Sequence, residues 1–169
     1  MLELIISGKP IGPETLMYSA MGQKGQTQMV PTYPVIVHDE YGEIVYEFSV
    51  TRRCKCEVFD GAKSRDYGEN GECPPNQVGQ PYMGRITTAG RLGFAIILFE
   101  TWCEKKETLR GIGQHPRKGI KIHYGPATSY GCMAIAGGQE GYRYFKEIFG
   151  VLQQLHGGPF FVTVEERVD

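Results

Sequence analysis

With 169 residues, 41% hydrophobic and 22% charged, the chain is long enough for one well-buried core and short for two, so residues 1–169 are read as a single domain. Its 18 basic and 19 acidic side chains nearly cancel, to a formal net charge of -1, and no basic run could neutralise a string of phosphates, which argues against nucleic acid as a partner. No stretch approaches the roughly 18 consecutive apolar residues of a membrane helix, so membrane insertion is not expected.

Along the chain, Met1 to Ile6 carries an acid, Glu3, where a signal peptide would carry positive charge, and no apolar core segment follows, so ordinary export is not encoded there. Leu2 to Ile6 is strand-like, whereas residues 8–31 show no periodic pattern. Val35 to Val37 and Glu43 to Val50 flank the acidic turn Asp39-Glu40-Tyr41-Gly42 and together predict a β-hairpin. Residues 60–80, rich in Gly, Asn, Asp and Pro, read as a long surface loop of the kind that often serves as a lid or binding loop. Gly93 to Phe99 and Ile120 to His123 are further strands. From Gln139 to Leu155 the apolar positions Phe145, Ile148, Phe149, Leu152 and Leu155 recur at three- and four-residue spacing, which predicts a helix with one buried stripe, stopped by Gly157-Gly158. Phe160, Val162 and Val164 then share one face of a closing strand. With 23 glycines and 10 prolines punctuating everything else, the expected class is mainly β with one C-terminal helix, an α+β fold.

The 5 cysteines admit three readings. Cys54, Cys56, Cys73 and Cys103 could form two disulfides and leave Cys132 as a reactive thiol, which would imply an oxidising compartment. All could be reduced thiols of a cytosolic protein. A zinc site built from the first four fits poorly, because an isolated C-x-C with distant single cysteines lacks the usual C-x₂₋₄-C pairs.

The segment Gly119-Ile-Lys-Ile-His-Tyr-Gly-Pro-Ala-Thr-Ser-Tyr-Gly-Cys-Met-Ala-Ile-Ala-Gly-Gly138 concentrates the chemistry. It sets His123 at the end of a strand, then a Gly-Pro turn, then Cys132 nine positions later, so that the returning chain can bring imidazole and thiol together. A thiol becomes a useful nucleophile when a nearby base or cation favours its thiolate. Gly131 would let backbone approach a substrate carbonyl, with the Cys132 amide as an oxyanion donor. The inert alternative is a buried structural cysteine and a hydrogen-bonded histidine. His38 at the hairpin turn and His156 at the helix end carry the same inert reading, and His115, in Gly-Gln-His-Pro, is either a surface residue or a substrate contact.

His-x₅-Ser-x-Gly-Cys, at His123, Ser129, Gly131 and Cys132, resembles the catalytic signature of the L,D-transpeptidase (YkuD-like) family, in the compact form found among antibacterial effectors and phage-associated relatives. The likeness is strongest over residues 111–138; elsewhere only the order of elements agrees. It implies an L,D-transpeptidase-like β-sandwich or barrel, with no cofactor and no metal, acting on peptidoglycan stem peptides. Cys132 would attack the carbonyl of a meso-diaminopimelate-D-alanine type bond and form a thioester, with His123 as base. Water as acceptor makes an L,D-carboxypeptidase; an amine gives cross-linking or exchange. Ser129 would orient the loop or bind substrate, or merely stabilise the turn. Tyr124, Tyr130, His115 and Arg117 are the candidate substrate contacts. The family often has Arg two residues after the cysteine, where this chain has Ala134, and Gly after the histidine, where it has Tyr124. Arg85, Arg91, Arg117 and Lys121 are candidates for the displaced cation.

Because the implied substrate lies outside the cytoplasmic membrane, the expectation is an antibacterial toxin delivered by a type VI-like secretion system. It would be cytoplasmic before delivery, act in the periplasm of a target bacterium, and be neutralised in the producer by a cognate immunity protein. A second hypothesis keeps the fold without the chemistry, as a phage or secretion-tip component that binds cell wall or a protein through a degenerate site. A third, a cysteine peptidase cutting ordinary L,L bonds, sits poorly with the His-then-Cys order.

Overall fold

The computed structural model describes residues 1–18, 27–52, 55–56, 65–66, 72–88, 93–100, 108–112, 117–125 and 132–169, with only the backbone of 12–18, 27–29, 55–56, 65–66 and 117–118. Its larger strands are β1 (Glu3–Ile6), β2 (Ile11–Tyr18), β3 (Thr27–His38) and β4 (Ile44–Val50), then, after the short β5 (Lys55–Cys56) and β6 (Arg65–Asp66), β7 (Tyr82–Thr87) and β8 (Ala95–Phe99). The two-residue strands β9 (Thr108–Leu109) and β10 (Arg117–Lys118) precede β11 (Lys121–His123) and β12 (Met133–Ala134), and helix α1 (Gly138–His156) precedes the last strand, β13 (Phe160–Val164). The expected class is the observed one: mainly β, with a single C-terminal α-helix among the described residues.

Period-two burial builds the sheet. Leu2, Leu4 and Ile6, Val35 and Val37, and Phe160, Val162 and Val164 all point into one core, while the residues between them face outward. The strands pair in the order β12-β11-β8-β7-β13-β1-β3, with β4 on β3. The first and last strands run parallel at the centre, Leu4 against Val162. The ends then meet: Val50 bridges Ile135, the Thr51 amide donates to the Ala134 carbonyl at 2.9 Å, and the Ala136 amide to the Ser49 carbonyl at 2.9 Å. Eight strands thus form a nearly closed barrel, whose edges are consumed in pairing. β2 adds to the first half of β3, with a register shift between Ile11 and Thr15.

The predicted hairpin forms. Asp39 Oδ1 accepts the amides of Tyr41 and Glu43, and Gly42 supplies the positive φ of 81° that closes the turn. The predicted helix forms too. Phe145, Phe149 and Leu152 are its buried residues, and Gly157, at φ 61°, donates its amide to the Gln153 carbonyl and ends it. Leu155, counted in the stripe from spacing alone, is instead 73% exposed on the last turn of the helix. The helix sets Phe145 and Phe149 on the inner side of β4, edge-on to Phe48 at 5.4 and 6.0 Å between ring centres, and against Phe160 of β13 at 6.1 Å.

Two of the larger strands, and the two-residue strands, escaped the reading of the sequence. β2 carries Gly12-Pro13, which hides its alternation, and β7 carries Gly84. A Cβ at Gly84 would stand 2.7 Å from the Phe160 ring and 2.9 Å from Val162, so glycine is required there by a ring from the opposite end of the chain. The C-terminal tail is fixed by buried polar contacts. Arg52, 5% exposed, donates to the carbonyls of Ser7 at 2.7 Å and Glu165 at 2.6 Å, Arg167 pairs with Glu72 at 2.8 Å, and the Tyr33 hydroxyl donates to Asp169 at 2.7 Å. No described helix is long and apolar enough to cross a membrane.

Candidate functional site

β11 and β12 are parallel neighbours in the register Ile122 to Met133 and His123 to Ala134. Ile122 and Met133 are both fully buried in the main core. Alternation therefore sends Lys121 and His123 on β11 and Ala134 on β12 to the other side of the sheet, where Lys121 is half-exposed, His123 is buried and Ala134 packs with Val30. Extending the register sets Cys132 opposite Lys121, one diagonal from His123, at a Cα separation of about 8 Å from strand spacing and rise. The pairing of β11 with β12 thus sets residues nine positions apart in sequence on neighbouring strands.

His123 is 2% exposed. Its Nδ1 lies 2.8 Å from the Tyr124 carbonyl, which can only accept, so Nδ1 carries the proton and Nε2 keeps its lone pair. Burial, and secondarily the charge of Lys121, hold the imidazole below its ordinary range, against the Tyr124 hydrogen bond that favours the cation. The result is a neutral ring with its basic nitrogen unprotonated at neutral pH. Gly125, at φ 151°, passes so close that a Cβ there would lie 3.4 Å from the ring.

The same depression ties stability to acid. The unfolded chain takes up the proton near the ordinary imidazole value of 6.5 and the folded chain only at lower pH, so the contribution of His123 is complete above 6.5 and is lost as pH falls through the folded value. Denaturant midpoints measured from pH 7.5 down to 5 should fall in the wild type and fall less in His123→Gln, which has no proton to take up.

Cys132 is half-buried and carries a thiol. Its sulfur accepts the Lys121 amide at 3.4 Å and faces the Gly119 carbonyl at 3.6 Å as donor. The thiol thus rests against the backbone of the segment that leads into and begins the strand carrying the histidine. β12 is itself held by Thr51, 3% exposed, whose Oγ1 accepts the Ala134 amide at 3.1 Å while the Ile135 amide donates to the His123 carbonyl at 2.9 Å. Thr51 carried no signal in the sequence, because its partner is 83 residues away.

Of the other candidates, Tyr124 is 36% exposed and its ring is stacked on Tyr142, with centroids 4.9 Å apart, on the side of the helix rather than over the thiol. Lys146 lies over the other partner of that stack, 5.3 Å from the Tyr142 ring centre. Arg85 is on the outer face of β7, its guanidinium 5.9 Å from the Phe99 ring centre. Cys73 carries a buried thiol facing the Pro74 carbonyl at 3.8 Å. His115, Ser129, Tyr130, Gly131, Arg91, Cys54 and Cys103 lie outside the described residues, as do the side chains of Arg117 and Cys56. A cavity of about 260 Å³ lined by Gln77, Gln80, Tyr82, Glu100, Arg110 and Gly111 opens at the far end of β8, roughly 16 Å along the strand from the position opposite His123. It is separate from the thiol and imidazole. No protein-family model, curated protein or solved structure matches the chain.

Proposed function

We propose that this chain is a cysteine-dependent acyltransferase or hydrolase of the L,D-transpeptidase type, acting on peptidoglycan stem peptides with Cys132 as nucleophile and His123 as base. The observation that supports it is the position of Cys132 immediately before β12, the parallel partner of the strand that carries His123, with the imidazole neutral and its Nε2 unprotonated. In the reaction, Nε2 takes the thiol proton as Cys132 Sγ bonds to the scissile carbonyl carbon. The tetrahedral adduct collapses with cleavage of the C–N bond, the leaving amine takes that proton from the imidazolium, and a thioester remains. Water or an amine then adds to the thioester with His123 as base again, and the thiol is regenerated with its proton.

The second reading, a wall-binding protein with a degenerate site, draws on the hydrogen bonds of Cys132 to backbone rather than to His123. Incubating the protein with tetrapeptide and pentapeptide muropeptides, with and without a free D-amino acid, and weighing the products separates the two. Release or exchange of a terminal D-amino acid supports catalysis; binding of muropeptides without any product supports the degenerate site.

A further inference from the structure

We propose that the cavity at the far end of β8 is a docking site for an acidic segment of a partner protein, whose carboxylate enters against Arg110 while neighbouring aliphatic side chains cover Val78 and Ile112. This goes beyond the acyl-transfer reading and does not depend on it, since the cavity lies roughly 16 Å along β8 from the position opposite His123. Two short loops, residues 74–81 and 110–112, supply most of its described wall. The first folds back where the Gln80 amide donates to the Gln77 carbonyl at 2.9 Å, with Gly79 at φ 77°. Both loops are fixed at their bases. The Tyr82 hydroxyl donates to the Pro74 carbonyl at 2.7 Å, the Ile112 amide to the Pro75 carbonyl at 2.9 Å, and Glu100 Oε1 accepts the amides of Arg110 and Gly111 at 2.6 and 2.8 Å. Gly111, at φ 53°, runs too close to the Tyr82 hydroxyl and the Pro75 carbonyl to carry a Cβ, so the second loop lies hard against the first.

Arg110 is exposed, and among the described residues the ion pairs join Met1 to Glu40, Arg143 to Glu140, and Arg167 to Glu72 and Asp169, so none uses its guanidinium. Gln77 and Gln80, both exposed, share the cavity wall with it. Glu100 lines the cavity as well, but the two backbone amides on its Oε1 offset its charge at that wall. A guanidinium fork beside two carboxamides offers several N–H donors, and a carboxylate is the group that takes such a fork through two parallel hydrogen bonds. The rim, in contrast, is apolar. Val78, at the tip of the 77–80 turn, is 98% exposed, and Ile112, next to Gly111, is 51% exposed. A small free anion would leave both in water, whereas a peptide carries aliphatic side chains on either side of its acid. Because hydrogen bonds already hold the two loops, covering them costs little further ordering.

The test titrates the isotope-labelled full-length protein with the peptide acetyl-Val-Leu-Glu-Leu-Val-amide and with its Gln counterpart, following backbone amides by NMR. The expected result is a set of shifts centred on residues 77–80 and 110–112, with the Glu peptide bound on the order of tenfold tighter than the Gln peptide. Arg110→Met should abolish that preference and leave the Gln peptide's affinity unchanged, while Arg110→Lys should retain part of it. Val78→Ser should weaken both peptides by a common factor of about three. Both side chains are exposed, so these variants should melt with the wild type. Equal affinity for the two peptides, a preference that survives Arg110→Met, shifts centred elsewhere, or no shift at millimolar peptide each overturns the proposal. So does sodium acetate that reproduces the shifts at the peptide's own affinity, because the apolar rim would then contribute nothing. Failure to turn over muropeptides bears on the acyl-transfer reading alone and leaves this result standing.

Discussion

Replacing Cys132 with Ala is expected to reduce muropeptide cleavage to the rate seen without protein, and replacing His123 with Gln to lower it by roughly 10²–10⁴-fold. The first change removes the atom that forms the thioester. The second leaves an amide where the imidazole stood, which can still donate to the Tyr124 carbonyl but cannot hold a proton in transit. Cys132 is half-buried and its hydrogen bonds are long, so Cys132→Ala should melt close to the wild type, and its loss of activity will report chemistry rather than unfolding. His123 is buried, so its variant must be assayed well below its own melting temperature. Because burial keeps the imidazole below its ordinary range, the acid limb of kcat/KM in the wild type should fall below pH 6.5. An enzyme that loses its activity as pH drops from 8 to 7 would not be using this histidine as its base. Retained muropeptide cleavage by Cys132→Ala would end the acyl-transfer proposal altogether.

The largest loss of stability is expected from Phe149→Ala. This side chain is fully buried, and its ring meets Phe145 at 4.8 Å, Tyr46 and Phe48 at 6.0 Å, and Phe160 at 6.1 Å between centres. It therefore joins helix α1 to both β4 and β13, and truncation would leave a cavity bounded by rigid rings that cannot collapse into it. The cost should be about 3–5 kcal/mol, read as a fall in the urea midpoint at unchanged slope. Leu155→Ala on the same helix, at a side chain 73% exposed, should stay within about 0.5 kcal/mol. Comparable losses from both would mean that the helix does not use this face.

Much of the architecture is legible from local signals. The hairpin from β3 to β4 is written in an aspartate that accepts two amides and a glycine at positive φ, both within a few residues of the strands they join. The helix is written in the spacing of Phe145, Phe149 and Leu152, and its end in Gly157. β7 was not legible, because Gly84 interrupts an otherwise plausible strand for a reason that lies in the Phe160 ring. β2 was masked in the same way by Gly12-Pro13, which its long partner β3 accommodates with a register shift.

The amino-acid order alone determined which chemical groups exist here and which local elements form, since turn chemistry and burial periodicity act over a few residues. It supplied a thiol and an imidazole nine positions apart, each adjoining a strand. Tertiary structure alone decided that one lies on β11 and the other at the start of β12, its parallel partner. It alone also held β12 in place through Thr51, across the seam where the barrel's ends meet. Those relations depend on which strands meet when the sheet closes, and that is a property of the whole chain.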